Sequence, residues 1–218
     1  MPLTEQSAAA VAEMEPAATL KPKVRRMPRA RREQQLLNVA LQLFIEHGYQ
    51  ATSMEDIASA AGVTRPIVYN HFGSKDGIYL ACLRRARASL DQHIVDAAQD
   101  PTTIEGRLKA GIEGYFTFVE ENRCSWHLLF GGGAAIAGTA AEEASRLRFQ
   151  TVEKITQLLL AVVQGIDEET CEGFAHAVSG AGEQIAKWWM QRPHITKQHV
   201  VGLMLSFTWN GLKALQQP

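Results

Sequence analysis

The sequence predicts an all-α protein of about nine helices. From Glu33 onward, apolar residues recur at intervals of three and four, which is the spacing of one face of a helix. No segment alternates as a strand does, and no Asn-Gly hairpin separates two β-branched runs. The predicted helices span, in order, about 31–47, 54–61, 64–71, 75–98, 103–121, 124–130, 141–164, 168–191 and 196–215.

Residues 1–32 are expected to form a disordered basic arm. A weakly apolar stretch is followed by KPKVRRMPRARR, which holds seven basic residues in twelve. Such a composition cannot bury enough surface to offset the cost of ordering. Residues 21–75 carry nine basic against four acidic residues in a chain of net charge −1, which suggests a polyanionic partner for this end only. Two interpretations stay open: a solvated tail, or an arm that contacts DNA.

Stop and cap signals define the first three helices. Gly48 is a fitting end for the first helix. Ser53 caps the second, and Asp56 three residues later makes a variant of the capping box. Thr64 is the expected cap of the third helix, which tolerates Pro66 because first-turn amides have no intrahelical acceptor.

The second and third helices, joined by a tight turn, form a predicted helix-turn-helix. Gly62 supplies the positive φ that such a turn often requires. The second helix of this motif enters the major groove of DNA. Here it holds Arg65, which can bond a guanine edge or a phosphate, and Ile67, which could meet a thymine methyl group. Tyr69, His71 and Lys75 can reach phosphates.

Residues 33–83 resemble the DNA-binding domain of the tetracycline-repressor (TetR) family. The matching elements are Ala40–Phe44, Gly48-Tyr49, Thr52-Ser53, Asp56-Ile57-Ala58, Ala61-Gly62-Val63, Tyr69, His71-Phe72 and Ser74-Lys75. The resemblance implies that the phosphate contacts are Thr52, Tyr69, His71 and Lys75. It also implies that the groove-facing residues are Thr64, Arg65, Pro66, Ile67 and Asn70. The Pro66-Ile67 pair stands where the family often has glycine or small polar residues, so the base contacts are the open part of this prediction.

The same resemblance implies the organisation of the chain. Residues 33–76 would form the DNA-binding domain, and residues 77–218 a helical domain for ligand binding and dimerisation. The middle helices would enclose a cavity for a small apolar or amphipathic effector. The candidates for its wall are Tyr115, Trp126, His127, Phe130, Phe149 and Trp188, and polar groups that could orient a ligand are Glu113, Gln150 and Glu183.

The last two helices are the predicted dimer interface. The segments IAKWWMQ and VVGLMLSFTWNGLKAL present more apolar surface than one face of a monomer usually requires. Gly202 and Gly211 would permit close approach of a partner helix. Two helices from each subunit would make the four-helix bundle that the family uses. A twofold dimer then requires a near-palindromic operator.

Other chemistry is not indicated by the sequence. The three cysteines lie far apart, no histidine pair has metal-ligand spacing, and the glycine-rich stretch 131–138 lacks the Lys-Ser/Thr of a phosphate loop. We therefore expect no cofactor, metal, membrane span or enzymatic activity, and a cytoplasmic location. The prediction is a homodimeric repressor released from its operator by an effector. The alternatives are a DNA-binding regulator without an effector, and an all-α enzyme.

Overall fold

A computed structural model describes residues 27–97, 103–131, 139–162 and 165–215. Within these ranges the regular structure is entirely helical, and nine helices are present. They are α1 (Arg29–Ala51), α2 (Met54–Ala60), α3 (Arg65–Phe72), α4 (Lys75–Ala97), α5 (Ile104–Glu121), α6 (Arg123–Phe130), α7 (Thr139–Val162), α8 (Glu168–Met190) and α9 (Lys197–Leu215). The all-α class and the order of the predicted helices are confirmed.

Helix α1 begins earlier than the sequence analysis predicted. Residues 29–32 form its first turn, so this end of the predicted 1–32 arm is helical. Residues 1–26 and the glycine-rich stretch 132–138 lie outside the described residues. Gly48 adopts φ 79° and ψ 166°, which interrupts α1 one turn before its end. This is the position where the sequence predicted a stop.

The turn signals of the first three helices are confirmed at Ser53 and Gly62. The Ser53 hydroxyl accepts from the Asp56 amide, and the Asp56 carboxylate accepts from the Ser53 amide, which completes the capping box. The Ser53 hydroxyl donates to the Asp56 carboxylate, and this bond, together with the one from the Ser53 amide, lowers the pKa of the Asp56 carboxyl. Gly62 has φ 63°. Thr64 stands at the cap position of α3, but its side chain makes no capping hydrogen bond. Instead, its carbonyl oxygen accepts from the Ile67 amide.

Helices α1 to α4 share one apolar core that fixes how α3 is presented. Leu36 of α1, Ile57 of α2 and Val68 of α3 are all fully buried in it. Phe72, at the end of α3, is half-buried against the same core. Gly77 lies so close to the end of α3 that a Cβ there would meet the Phe72 carbonyl oxygen. Packing therefore orients α3, with its opposite face toward solvent.

The C-terminal helices pack around α4 and α5. Helix α5 lies against α4 and α9, and α7 lies against α8 and α4. Gly114 of α5 is pressed against the backbone of His93 in α4, where any side chain would collide. Among the described helices, none combines the length and apolar character needed to cross a membrane.

Candidate DNA-binding surface

Helix α3 presents one face to solvent and buries the other. Val68 points into the core, whereas Thr64, Arg65, Pro66, Tyr69 and Asn70 are exposed. Ile67 and His71 are half-buried at the edges of the exposed face. The residues predicted to face a DNA groove thus lie together on the outer surface of the second helix of the motif.

An open groove of about 350 Å³ runs beside α3. The groove is lined by Gln50, Ala51, Thr52, Ser53, Met54, Glu55, Arg65, Tyr69 and Lys75. Two of these side chains are cationic, Arg65 and Lys75, and one is acidic, Glu55. The structure therefore brings four predicted DNA-contacting residues, Thr52, Arg65, Tyr69 and Lys75, around one polar groove on the surface that carries α3.

Arg65 and Tyr69 form a pair one helical turn apart. The Arg65 Nη2 donates to the Tyr69 hydroxyl oxygen at 3.1 Å, and the guanidinium lies 5.2 Å from the centre of the Tyr69 ring. A planar guanidinium held over an aromatic ring keeps its remaining donors in a fixed fork. Tyr69 thereby orients Arg65 at the N-terminal end of α3, the end that meets base edges in this motif.

Lys75 is held at the opposite side of the groove by the end of α1. Its ammonium group donates to the carbonyl oxygens of Tyr49 at 3.1 Å and Gln50 at 3.4 Å. It also lies 4.4 Å from the centre of the Tyr49 ring. The Tyr49 hydroxyl donates to the Asp76 carboxylate. Burial, aided by this carboxylate, raises the pKa of Tyr49 above its ordinary value, so the ring stays neutral beneath the cation.

Thr52 and His71 are less accessible than Arg65 and Tyr69. The Thr52 side chain is buried, and its hydroxyl lies 2.8 Å from the carbonyl oxygen of Gly48. The hydroxyl therefore secures the turn between α1 and α2. His71 buries its Nδ1 without a hydrogen-bond partner among the described residues.

The predicted effector wall is only partly brought together. Trp126 is fully buried, and its Nε1 donates to the Tyr115 hydroxyl at 2.9 Å. Phe130 packs against both, and its ring centre lies 5.6 Å from that of Trp126 and 6.3 Å from that of Tyr115. We call Tyr115, Trp126 and Phe130 the aromatic cluster.

Two ionisable groups in this part of the chain have raised pKa values. Burial raises the pKa of Tyr115. Burial also raises the pKa of the half-buried Glu183, against the opposing effect of Lys187.

The other three candidates for the effector wall lie apart from the aromatic cluster. His127 is exposed, because the residue after Trp126 is rotated about 100° around α6. Phe149 of α7 is 58% exposed. Trp188 is half-buried, with the Arg192 guanidinium 4.9 Å from its ring centre. Their aromatic character alone gave no indication of which helix face carries them.

Two tyrosines and an arginine that were not predicted as site residues connect to the groove beside α3. Tyr49 forms the platform under Lys75, and Tyr79 of α4 packs edge-on against it at 5.0 Å. Arg148 of α7 donates to the Tyr79 hydroxyl at 2.8 Å. Tyr49 could have been found, since it follows the predicted break at Gly48. The Arg148 contact joins residues 69 positions apart and left no local signal.

The packing of α2 against α3, the tight turn at Gly62 and the exposed polar face of α3 define a helix-turn-helix transcriptional regulator. Comparison with known proteins agrees. The family described as "Bacterial regulatory proteins, tetR family" matches residues 36–82, and the "Tetracyclin repressor-like, C-terminal domain" matches residues 104–211. The chain belongs to the TetR family.

Individual relatives extend this similarity over most of the chain. The HTH-type transcriptional activator FasR of Mycolicibacterium smegmatis is 31% identical over 192 residues, which is 86% of this chain and 85% of that protein. A TetR-like transcriptional regulator from Rhodococcus sp. RHA1 superposes with a TM-score of 0.71 at 31% identity, covering 86% of this chain and 99% of that one. A Streptomyces coelicolor regulator of the family gives a TM-score of 0.65 at 29% identity, covering 87% and 83% of the two chains. The fold and the relatives are those of regulators, not enzymes.

Proposed function

We propose that the chain acts in the cytoplasm as a homodimer that reads a near-palindromic DNA site, and that a small apolar or amphipathic effector changes its DNA affinity. The observation that carries this proposal is the groove beside α3, where Arg65, Tyr69 and Lys75 surround one polar surface. DNA contacts of this motif divide into phosphate contacts that position the protein and base contacts that specify sequence.

Seven residues of α3 and the start of α4 receive a role in this proposal. Lys75 and Tyr69 contact a phosphate in the groove, and His71 contacts a neighbouring phosphate through Nε2. Arg65, at the start of α3, bonds a guanine edge, for which its fork of donors is suited. Pro66 and Ile67 offer apolar contact to a thymine methyl group, and Asn70 can bond adenine.

The dimer interface in this proposal is formed by α8 and α9. Leu203 and Phe207 stand one turn apart on the outer face of α9 and are 45% and 53% exposed. A Cβ added to Gly202 would meet nothing within 4 Å, so its surface is open to a partner helix. Large exposed apolar side chains in a row favour association with a second subunit.

Part of the apolar excess predicted for α8 and α9 is used within the chain. Trp189 is buried against Phe116, with ring centres 5.8 Å apart, and its Nε1 donates to the Ile195 carbonyl oxygen. A Cβ on Gly211 would lie 3.0 Å from the Phe174 ring, so Gly211 permits α9 to approach α8 of the same chain. Of the two glycines expected to admit a partner, only Gly202 faces open space.

The aromatic cluster supports the effector part of the proposal. It combines a large apolar surface with the Tyr115 hydroxyl, and Glu183 is close enough to act electrostatically on that hydroxyl. Apolar walls with a few polar groups are typical of small-molecule sites. An effector that binds one arrangement of the two recognition helices better than another shifts the population toward it, by no more than its difference in affinity.

Selection from a random pool of double-stranded DNA tests the DNA part. The full chain should enrich an inverted repeat whose half-sites lie about 34–36 Å apart or a multiple of this distance. Two chains should bind each site. Enrichment of a single unrepeated half-site, or of no sequence, would contradict the proposal.

Two further measurements test the effector and the sign of regulation. A library of small apolar and amphipathic compounds should contain some that both raise the melting temperature and change affinity for the selected DNA. If the compounds that raise the melting temperature all leave DNA affinity unchanged, the result would favour the alternative, a DNA-binding regulator without an effector. Repression is the sign that the resemblance implies, whereas FasR is named an activator. A reporter behind the selected site distinguishes them, since expression rises on loss of a repressor and falls on loss of an activator.

A further inference from the structure

A continuous series of side-chain contacts joins α7 in the C-terminal domain to the groove beside α3. Arg148 of α7 donates to the hydroxyl of Tyr79, which is buried in α4. The Tyr79 ring packs edge-on against Tyr49 at 5.0 Å. The Tyr49 ring and carbonyl oxygen hold the Lys75 ammonium group. We call these four residues the Arg148–Lys75 series.

We propose that Arg148 and Tyr79 are positioning residues for Lys75, so that α7 sets the placement of the phosphate-contacting ammonium group. The proposal rests on the proposed phosphate role of Lys75. It connects α7 to the proposed DNA-binding surface through the Arg148–Lys75 series.

The packing around Tyr79 makes its orientation depend on Arg148. The Tyr79 ring lies between Phe44, at 5.1 Å, and Tyr49, at 5.0 Å, and both contacts are edge-on. Edge-on contacts between aromatic rings are sensitive to tilt. A buried hydroxyl needs a hydrogen-bond partner, and Arg148 is the partner of the Tyr79 hydroxyl across the α4–α7 seam. If α7 moves and carries Arg148 away, the Tyr79 ring is free to tilt. The Tyr49 ring, which packs against Tyr79 and lies beneath Lys75, can then shift as well.

Other contacts across the same seam do not reach the groove, and they supply a control. Arg84 of α4 forms an ion pair with Glu143 of α7 at 2.6 Å. Arg87 of α4 bonds Thr151 and Asp91, and Asp91 also pairs with Lys154 of α7 at 2.5 Å. Arg84→Met thus removes an α4–α7 ion pair without touching the Arg148–Lys75 series.

The test compares Tyr79→Phe, Arg148→Met and Arg84→Met for binding to the selected DNA over a range of salt concentrations. Tyr79→Phe keeps the ring and removes only the hydroxyl that Arg148 reaches. Coupling through such contacts corresponds to a weakening of DNA binding by about 2- to 30-fold. Tyr79→Phe and Arg148→Met should both show it, and the double variant should be no weaker than either single variant. Arg148→Lys, which retains a donor, should recover most of the affinity, and Arg84→Met should match the wild type.

Lys75→Met separates failure of this proposal from failure of the proposed phosphate role. If Lys75→Met alone leaves affinity and salt dependence unchanged, the phosphate role is wrong. If Lys75→Met weakens binding, Tyr79→Phe should lower the salt dependence in the wild-type background and add nothing in the Lys75→Met background. Additive losses, or an equal loss in Arg84→Met, would overturn the positioning role. Circular dichroism and the dimer mass verify that each variant is folded.

Discussion

The Lys75 ammonium group lies 3.1 Å from the carbonyl oxygen of Tyr49 and 4.4 Å from the centre of its ring. Lys75 begins α4, and Tyr49 stands after the break in α1, so this contact ties the two helices at the edge of the groove. A lysine side chain whose ammonium group is already held by carbonyl oxygens loses less conformational freedom when a phosphate arrives. The relationship prearranges Lys75 for the phosphate contact that we propose for it.

Arg65→Ala should relax sequence preference and cost about 1–3 kcal/mol of binding free energy on the selected site. The reason is that the guanidinium, oriented by Tyr69, is proposed to bond a guanine edge. Competition binding with sites substituted at single positions measures the preference. Equal weakening on every sequence would instead make Arg65 a phosphate contact.

Trp126→Ala should lower the free energy of unfolding by about 3–5 kcal/mol, because it empties a fully buried site and removes the donor to the Tyr115 hydroxyl. Urea unfolding at one fixed protein concentration measures this. Phe149→Ala is the matched control: its side chain is 58% exposed, and the change should stay within about 0.5 kcal/mol. Comparable losses in the two variants would contradict the buried role of the aromatic cluster.

Phe207→Glu should convert the dimer to a monomer and abolish binding to the inverted repeat, because a charge would enter the centre of the proposed α8–α9 interface. Analytical ultracentrifugation measures the mass. Val95→Glu on α4 is the control, since Val95 is 57% exposed and lies outside that interface. A Phe207→Glu variant that remains dimeric would place the interface elsewhere.

The sequence predicted the helices well because their ends depend on local chemistry. Gly48 interrupts α1, the Ser53–Asp56 capping box starts α2, and Gly62 makes the turn before α3. Each signal acts over a few residues, so no knowledge of the tertiary structure was needed. Thr64 is the exception: it occupies the cap position of α3, but its side chain makes no capping hydrogen bond.

The candidate sites were predictable only where the motif fixes the helix face. The exposed face of α3 follows from the helix-turn-helix motif, whose second helix turns one face to DNA, while Val68 lies on the buried face. The effector candidates did not follow, because Trp126 and His127 are neighbours in sequence yet lie on different faces of α6. The contact between Arg148 and Tyr79 depends on how α7 crosses α4, which no local pattern encodes.

The salt dependence of Lys75→Met binding to the selected DNA tests the central claim most directly. Each phosphate contact contributes about 0.9 to the slope of log affinity against log salt concentration, so a dimer that loses two contacts should have a slope shallower by about 1.8. Lys109→Met removes one exposed charge from α5 and should keep the wild-type slope. A shallower slope in Lys75→Met alone supports a groove that binds DNA phosphates. Equal slopes in the wild type and Lys75→Met would contradict it.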